Sequence, residues 1–313
     1  MMRSLYSAVG GLRNHQTRMD VIGNNIANVN TTGYKASRAS FQDILNQNLQ
    51  GASAAQGGKG GVNPMQVGLG MTASSIDNLF TNGSIQSTGV GTDLAISDDG
   101  FFILSDGTTD VYTRDGNFDF DNDGVLVSRS SGMKVSGWIQ TGFLNPTATA
   151  GNIPALPFPS YDPTGGTTPL QELKIVKGGT YDTKTSFDPT NGSTTDVLNS
   201  VSINKAGQIV GTFASGLNAV MGQVALAKFN NPGGMTKLGS NTYTPSANSG
   251  TADVGAASTG GRGSITPGAL EMANVDLSNE FSNMIVTQRG FQANSKIITV
   301  SDEMLETLVN MKR

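Results

Sequence analysis

"LSNEFSNMIVTQRGFQANSKIITVSDEMLETLV", residues 277–309, decides how the rest of the chain is read. Leu277, Phe281, Met284, Phe291, Ile298, Leu305 and Val309 recur at steps of three, four and seven. Gln288, Ser295 and Asp302 fill the intervening heptad positions. This spacing lays one apolar stripe with polar interruptions along a long helix, the pattern of a coiled-coil seam. The other chain end repeats it with Leu5, Val9, Leu12, Met19, Ile22, Ile26 and Val29. A single stripe reads as an ordinary surface helix. Two stripes at opposite ends, with β texture between them, are expected to pair with each other. The expected fold class is mixed and mainly β: terminal α-helices pairing as a coiled-coil-like domain, one inner β domain, and one small inserted outer β domain.

Inward from the helices the texture changes three times. Residues 36–72 lose all periodicity; "FQDILNQNL" is compatible with a short helix, and "GASAAQGGKGGVNPMQVG" reads as a linker or extended arm. No GxxxxGK[ST] pattern occurs there, so a phosphate-cradling loop is not supported. From about 73 the chain alternates short hydrophobic runs with Asp-Gly pairs at 99–100, 106–107, 115–116 and 123–124. Asp-Gly suits the positive backbone angles of hairpin turns, which predicts a meander of antiparallel strands. After Gly142 proline and glycine dominate, followed by an Asn-Gly turn signal at 191–192. The expected layout is a terminal helical domain (1–35 and 268–313), an arm (36–72), an inner β domain (73–144 and 196–267) and an inserted outer β domain (145–195).

Composition narrows the chemistry. The net charge is −4 and the basic residues are scattered, so no basic stripe is present to neutralise nucleic-acid phosphates. There are no cysteines, which removes disulfides, thiolate metal sites and cysteine nucleophiles together. No segment approaches the roughly 20 apolar residues of a membrane span. The N-terminal "SLYSAVGGL" lacks the features of a cleaved secretory signal, so any export is expected to use another route.

Asp119, Asp121, Asp123 and Gly124 form a D-x-D-x-D-G run like the opening of a calcium loop. Such loops need a bidentate glutamate at position twelve, where this chain has Ser130, and the flanks read as strands. A tight turn is the expected reading. The only histidine, His15, falls in the N-terminal helix, on a stripe expected to be packed. No catalytic residue, cofactor or metal is expected, and a calcium-binding adhesin or a carbohydrate-active enzyme stay as rival classes.

"NNIANVNTTGYK", residues 24–35, clusters four asparagines at a helix end, where asparagine competes with the backbone for hydrogen bonds. Asn24 and Asn28 share a face distinct from the Ile22–Ile26–Val29 stripe. Amides there can bond across a molecular boundary without desolvating a charge. Asn25→Ala is accordingly expected to impair assembly more than folding. Asn30 and Thr31 read equally well as the fraying end before a Gly33 turn.

"GNNIANVNTTGYK" (23–35) resembles the N-terminal signature of bacterial flagellar rod and hook proteins. "GALEMANVDLSNEFSNMIVTQRGFQANSKIITVSDEMLETLVNMKR" (268–313) resembles their C-terminal signature in its hook version. "GTDLAISDDGFFIL", "YTRDGNFDFDNDGVLVS" and "FNNPGGMTKLGSNTYTPSANSG" resemble the inner β domain of the hook. The resemblance implies a structural subunit of an extracellular helical tube joining rod to filament. It implies export without a cleaved signal by the flagellar type III apparatus. The implied partners are other copies of the chain and the rod, hook-cap and hook–filament junction proteins. The short outer region implies that a third, outermost domain is absent. A distal rod protein is the alternative within the family. The candidate assembly interface is Leu5, Val9, Leu12, Met19, Ile22, Asn24, Asn25, Ile26, Asn28 and Val29, with Leu277, Phe281, Met284, Gln288, Phe291, Asn294, Ile298, Leu305 and Val309.

Overall fold

The computed structural model describes residues 2–54, 60–139, 170–175, 180–183 and 194–311. Its backbone forms two compact units. One comprises Met1–Val29, Lys35–Leu79 and Val275–Arg313; the other comprises Asn30–Tyr34 and Phe80–Asn274.

In the first unit the two apolar stripes form helices α1 (Met2–Ala27) and α2 (Leu277–Asn310). The start of α2 is fixed by Asp276, whose carboxylate accepts hydrogen bonds from the Ser278 and Asn279 backbone N–H groups. That cap satisfies two of the orphan donors every helix start exposes. The segment 36–72, expected as a linker or extended arm, contains strands, and "FQDILNQNL", compatible in sequence with a short helix, runs through two of them. Ser37–Asp43 pairs antiparallel with Met71–Asn78, and Asn46–Gln50 pairs with Met65–Gly68. The pattern misled because the ribbon has no covered side at its tip: Leu45, Leu49, Met65 and Val67 are all exposed. Without one buried face, the period-two alternation that announces a strand does not arise.

The second unit is built on a curled sheet that has thirteen strands among the described residues. Its spine runs through Asn218–Lys228, Lys134–Ile139, Phe101–Ser105 and Asp110–Thr113, all antiparallel neighbours. "FFIL" lies in the middle. Phe102 and Leu104 pack into one apolar cluster with Leu126, Val135 and Leu226, while Phe101 and Ile103 pack into another with Trp138, Phe229 and Tyr243. Both faces are covered, which is why these strands read as unbroken hydrophobic runs.

Two of the four Asp-Gly pairs make the expected hairpins. Asp106-Gly107 joins the paired strands Phe101–Ser105 and Asp110–Thr113, and Asp123-Gly124 joins Phe118–Phe120 to Leu126–Ser128. The other two are corners between strands that do not pair with each other. At Gly116 the reason is proximity: an added Cβ would lie 1.6 Å from the Leu94 carbonyl oxygen. The Asp119–Asp123 run ends in a tight turn at Asp121–Gly124, with Asp119 in the strand before it. Asp121 accepts the Asn122 N–H at 2.7 Å, and Asp119 pairs with Arg129 at 3.0 Å.

Most of 145–195, expected as an inserted domain, lies outside the described residues, as does the 191–192 turn. The described part does not stand apart from the main sheet. Gln171–Glu172 pairs with Lys134–Ile139, and Leu173 and Ile175 are buried in the cluster that holds Phe102.

Candidate assembly interface

The helices of the first unit run antiparallel and in contact. Four contacts along them fix the direction. Gly11 faces Asn294, His15 faces Gly290, Arg18 donates to Asn283 Oδ1 at 3.2 Å, and Asn25 donates to Glu280 Oε1 at 3.2 Å. Numbers rise along α1 as they fall along α2. Approach is close where glycine sits: a Cβ on Gly11 would lie 2.8 Å from the Asn294 amide, and one on Gly290 would lie 2.8 Å from the His15 ring. At either glycine a methyl group would have to displace the facing His15 or Asn294 side chain.

The seam on α2 follows Met284, Thr287, Phe291, Asn294, Ile298, Ser301 and Leu305, all buried or half-buried. Thr287 and Ser301 satisfy their hydroxyls inside the helix by donating to the Asn283 and Ile297 carbonyls. On α1, Leu5, Val9, Leu12, Met19 and Ile26 are half-buried and Ile22 is buried; Val29, expected on the same stripe, is half-buried in the turn just past the helix end.

Other candidates lie elsewhere. Leu277, Phe281, Gln288 and Val309 are exposed, Phe281 by 49% and Val309 by 70%. A second set that the sequence reading missed is exposed too: Ile285, Val286, Ile297, Val300, Met304 and Leu308. Ile297, Val300, Met304 and Leu308 recur at three and four, a second apolar stripe on the same helix. At 100° per residue it lies well round from the Asn294–Ile298–Leu305 seam. The signal was present in the sequence, because a helix with one partner needs one stripe and this one carries two.

The asparagines correct one expectation. Asn25 is 1% exposed. Its amide donates to the Ser37 carbonyl at 2.8 Å and its Oδ1 accepts the Ser37 N–H at 3.0 Å, locking α1 to the first ribbon strand. It is spent inside its own chain and is closed to another molecule. The Asn28 amide, similarly, donates to the Asn24 carbonyl at 2.9 Å and to Asn24 Oδ1 at 3.1 Å. Asn25→Ala is therefore expected to destabilise the helical unit by about 2–3 kcal/mol, the cost of leaving buried partners unmet. Urea unfolding followed by circular dichroism at 222 nm measures it. Unchanged helix stability would return Asn25 to an external role.

In the second unit, residues Asn30–Tyr34 are held by their own set of bonds. Gly33, with φ at +66°, donates its N–H to the Glu271 carbonyl at 2.8 Å. Thr32 donates to Asp115 Oδ1 at 3.0 Å and its carbonyl accepts from the Asn241 amide at 2.8 Å. Burial raises the Asp115 pKa above the ordinary carboxylate value, against the lowering effect of the Thr32 bond. Glu271 itself forms a buried ion pair with Arg114 at 3.1 Å.

Comparison with known proteins follows the same geography. Residues 5–35 match the family described as flagella basal body rod protein. Residues 95–211 match the flagellar hook protein FlgE/F/G D1 domain, and residues 266–311 match the flagellar basal body rod FlgEFG protein C-terminal family. The flagellar hook protein FlgE of Borreliella burgdorferi is 34% identical over 441 aligned positions covering 100% of both chains. The flagellar basal-body rod protein FlgG of Bacillus subtilis is 42% identical over 314, again covering 100% of both. The hook protein FlgE of Treponema pallidum is 31% identical over 463, covering 100% of both. With both terminal signatures, the inner β region and full-length relatives in agreement, the chain belongs to the flagellar hook and rod family, whose members are structural proteins of the bacterial basal body and hook and not enzymes.

Proposed function

We propose that this chain is the structural subunit of the flagellar hook, polymerising into a bendable tube that carries torque from rod to filament. The observation that carries polymerisation is the apolar surface a lone subunit leaves open. The second stripe of α2 and the Leu45–Leu49–Met65–Val67 ribbon tip both face solvent. Burying each such side chain is worth roughly 1.5–3 kcal/mol, and an isolated two-stranded ribbon is marginal in water. Neighbouring copies in a helical array would cover both. The contact is heterologous, because a head-to-tail patch that does not close on itself generates a filament.

On this reading α1 and α2 act as a coiled-coil-like inner wall, and the assembly residues are the exposed ones: Leu277, Phe281, Gln288 and Val309 with the Ile297–Leu308 stripe. The ribbon serves as the arm and the β unit as the bending surface. The remaining partners are the rod, the hook cap, the hook–filament junction proteins and the type III export apparatus. The site of action is outside the cell.

The "QRGFQANSK" wording and the segment after Gly142 support hook. One observation favours a distal rod protein instead: the rod relative aligns with almost no length difference, whereas both hook relatives need far more positions than this chain's 313 residues. Electron microscopy of a deletion strain carrying this gene on a plasmid decides between them. Restored short curved tubes outside the cell are the expected result. Restored straight rods without a curved extension would assign the chain to the rod, and neither structure would remove it from the axial polymer.

A further inference from the structure

Three elements of the helical unit converge on one side chain. His15 projects from α1 against Gly290 of α2, so closely that a Cβ there would lie 2.8 Å from its Cε1 and Nε2 atoms. Its ring meets Phe41 of the strand Ser37–Asp43 edge-on, with centroids 6.2 Å apart and planes at 64°. Its Nδ1 is buried and, among the described residues, has no hydrogen-bond partner. The neutral ring suits this place, since an apolar edge, a glycine and an aromatic face ask nothing of it.

We propose that His15 is an acid-sensitive clasp of the helical unit: the neutral ring fills the gap where α1, α2 and the ribbon strand meet, and protonation loosens that packing. Protonation would turn Nδ1, the buried atom of a half-buried ring, into a charged donor with no acceptor in reach among the described residues, a costly state. The charged group acting on His15 is Arg18, three residues along α1, which would repel an imidazolium. From α2 the packed residue is Gly290 and from the ribbon it is Phe41, both neutral. The nearest ionisable residues along those elements are Arg289 and Asp43, and Arg13 on α1. Among the described residues, no carboxylate bonds to Nδ1.

Burial, and then Arg18, hold the His15 pKa below its ordinary 6.5. A folded value below the unfolded one means the fold binds fewer protons than the unfolded chain. The stabilisation is full above pH 6.5 and is lost as pH falls through the folded value. The property belongs to the folded helical unit and holds whether the chain builds a hook or a rod.

Because the chain has one histidine, its imidazole proton resonance is unique and can be followed by NMR in the full-length protein. Its titration midpoint is expected below 6.5 and is expected to rise in Arg18→Gln. In parallel, the thermal midpoint at 222 nm is expected to fall between about pH 7.5 and about pH 5.5, a window either side of the ordinary histidine value. In His15→Gln, which cannot take a proton in that range, at least half of that fall is expected to vanish. A wild-type midpoint at or above 6.5 overturns the proposal, and so does a His15→Gln chain that keeps the whole pH-dependent fall. The titration needs no variant, so it stands even where His15→Gln fails to fold.

Discussion

Glu271→Ala is expected to cost the β unit about 3–5 kcal/mol, among the largest effects of any single substitution in this chain. Glu271 and Arg114 are 1% and 2% exposed, and their contact is 3.1 Å. Most of the rest of each side chain is engaged as well, although the buried Arg114 Nε has no hydrogen-bond partner among the described residues. Glu271 Oε1 accepts the Gly83 N–H at 2.8 Å. The Arg114 guanidinium donates to the Asp98 carbonyl at 2.7 Å and rides over the Phe101 ring at 5.4 Å. Asp98 has φ at 80°, an uncommon angle for a residue with a side chain, and the arginine helps to hold it there. Removing the carboxylate leaves a guanidinium charge buried without its counter-ion, which costs far more than the net worth of the pair. Trp138, the only tryptophan, is buried in the same unit, so urea unfolding by fluorescence reports the loss. The Lys134–Glu172 pair supplies the internal comparison, at 2.8 Å but with both side chains nearly half exposed. Glu172→Ala is expected to cost no more than about 1 kcal/mol. Replacing Glu271 and Arg114 together by leucine and methionine should recover part of the loss. A Glu271→Ala chain as stable as Glu172→Ala would show that solvent already reaches the pair.

What the sequence reveals depends on how many partners each element has. The helices were legible because each keeps a seam, and the seam imposes a period whatever covers it. "FFIL" was legible as strand because both faces are buried. The ribbon was not, since exposed leucines and interspersed Asn, Gln and Gly give no alternation to read. Asp-Gly marks a positive backbone angle at three of the four sites, Gly100, Gly107 and Gly124. It says nothing about whether the next strand pairs with the last, and two of the four sites turn out to be corners. The deepest polar links join residues far apart in sequence: Arg114 to Glu271, Asn25 to Ser37 and Glu280, Gly33 to Glu271. Each is a single residue among ordinary neighbours, and only the fold makes them adjacent. Asn25 looked like a surface amide by the same logic. The residue that bonds it, Ser37, begins a strand that the sequence presents as linker.

Removing residues 1–29, and stopping there, should abolish polymerisation and leave the β unit folded. The cut matters. Asn30–Tyr34 belong to the β unit through the Gly33, Thr32 and Asn241 bonds, and a longer deletion would damage both units at once. Without α1 the remaining helix has no seam partner. Fixing its backbone costs about 1–2 kcal/mol per residue, and burial of Phe291, Ile298 and Leu305 no longer offsets that cost. Isolated helices are marginal in water, so α2 should melt, and the helical signal should fall by more than the 26 residues of α1 itself. The β unit keeps its two apolar clusters, none of whose members lies before residue 80. Its Trp138 unfolding midpoint in urea should therefore stay within error of the intact chain. Sedimentation separates the remaining possibilities. A truncated chain that still pellets as tubes would place the polymer contacts in the β unit, and one that loses its Trp138 transition would make the helices part of the β unit's own stability.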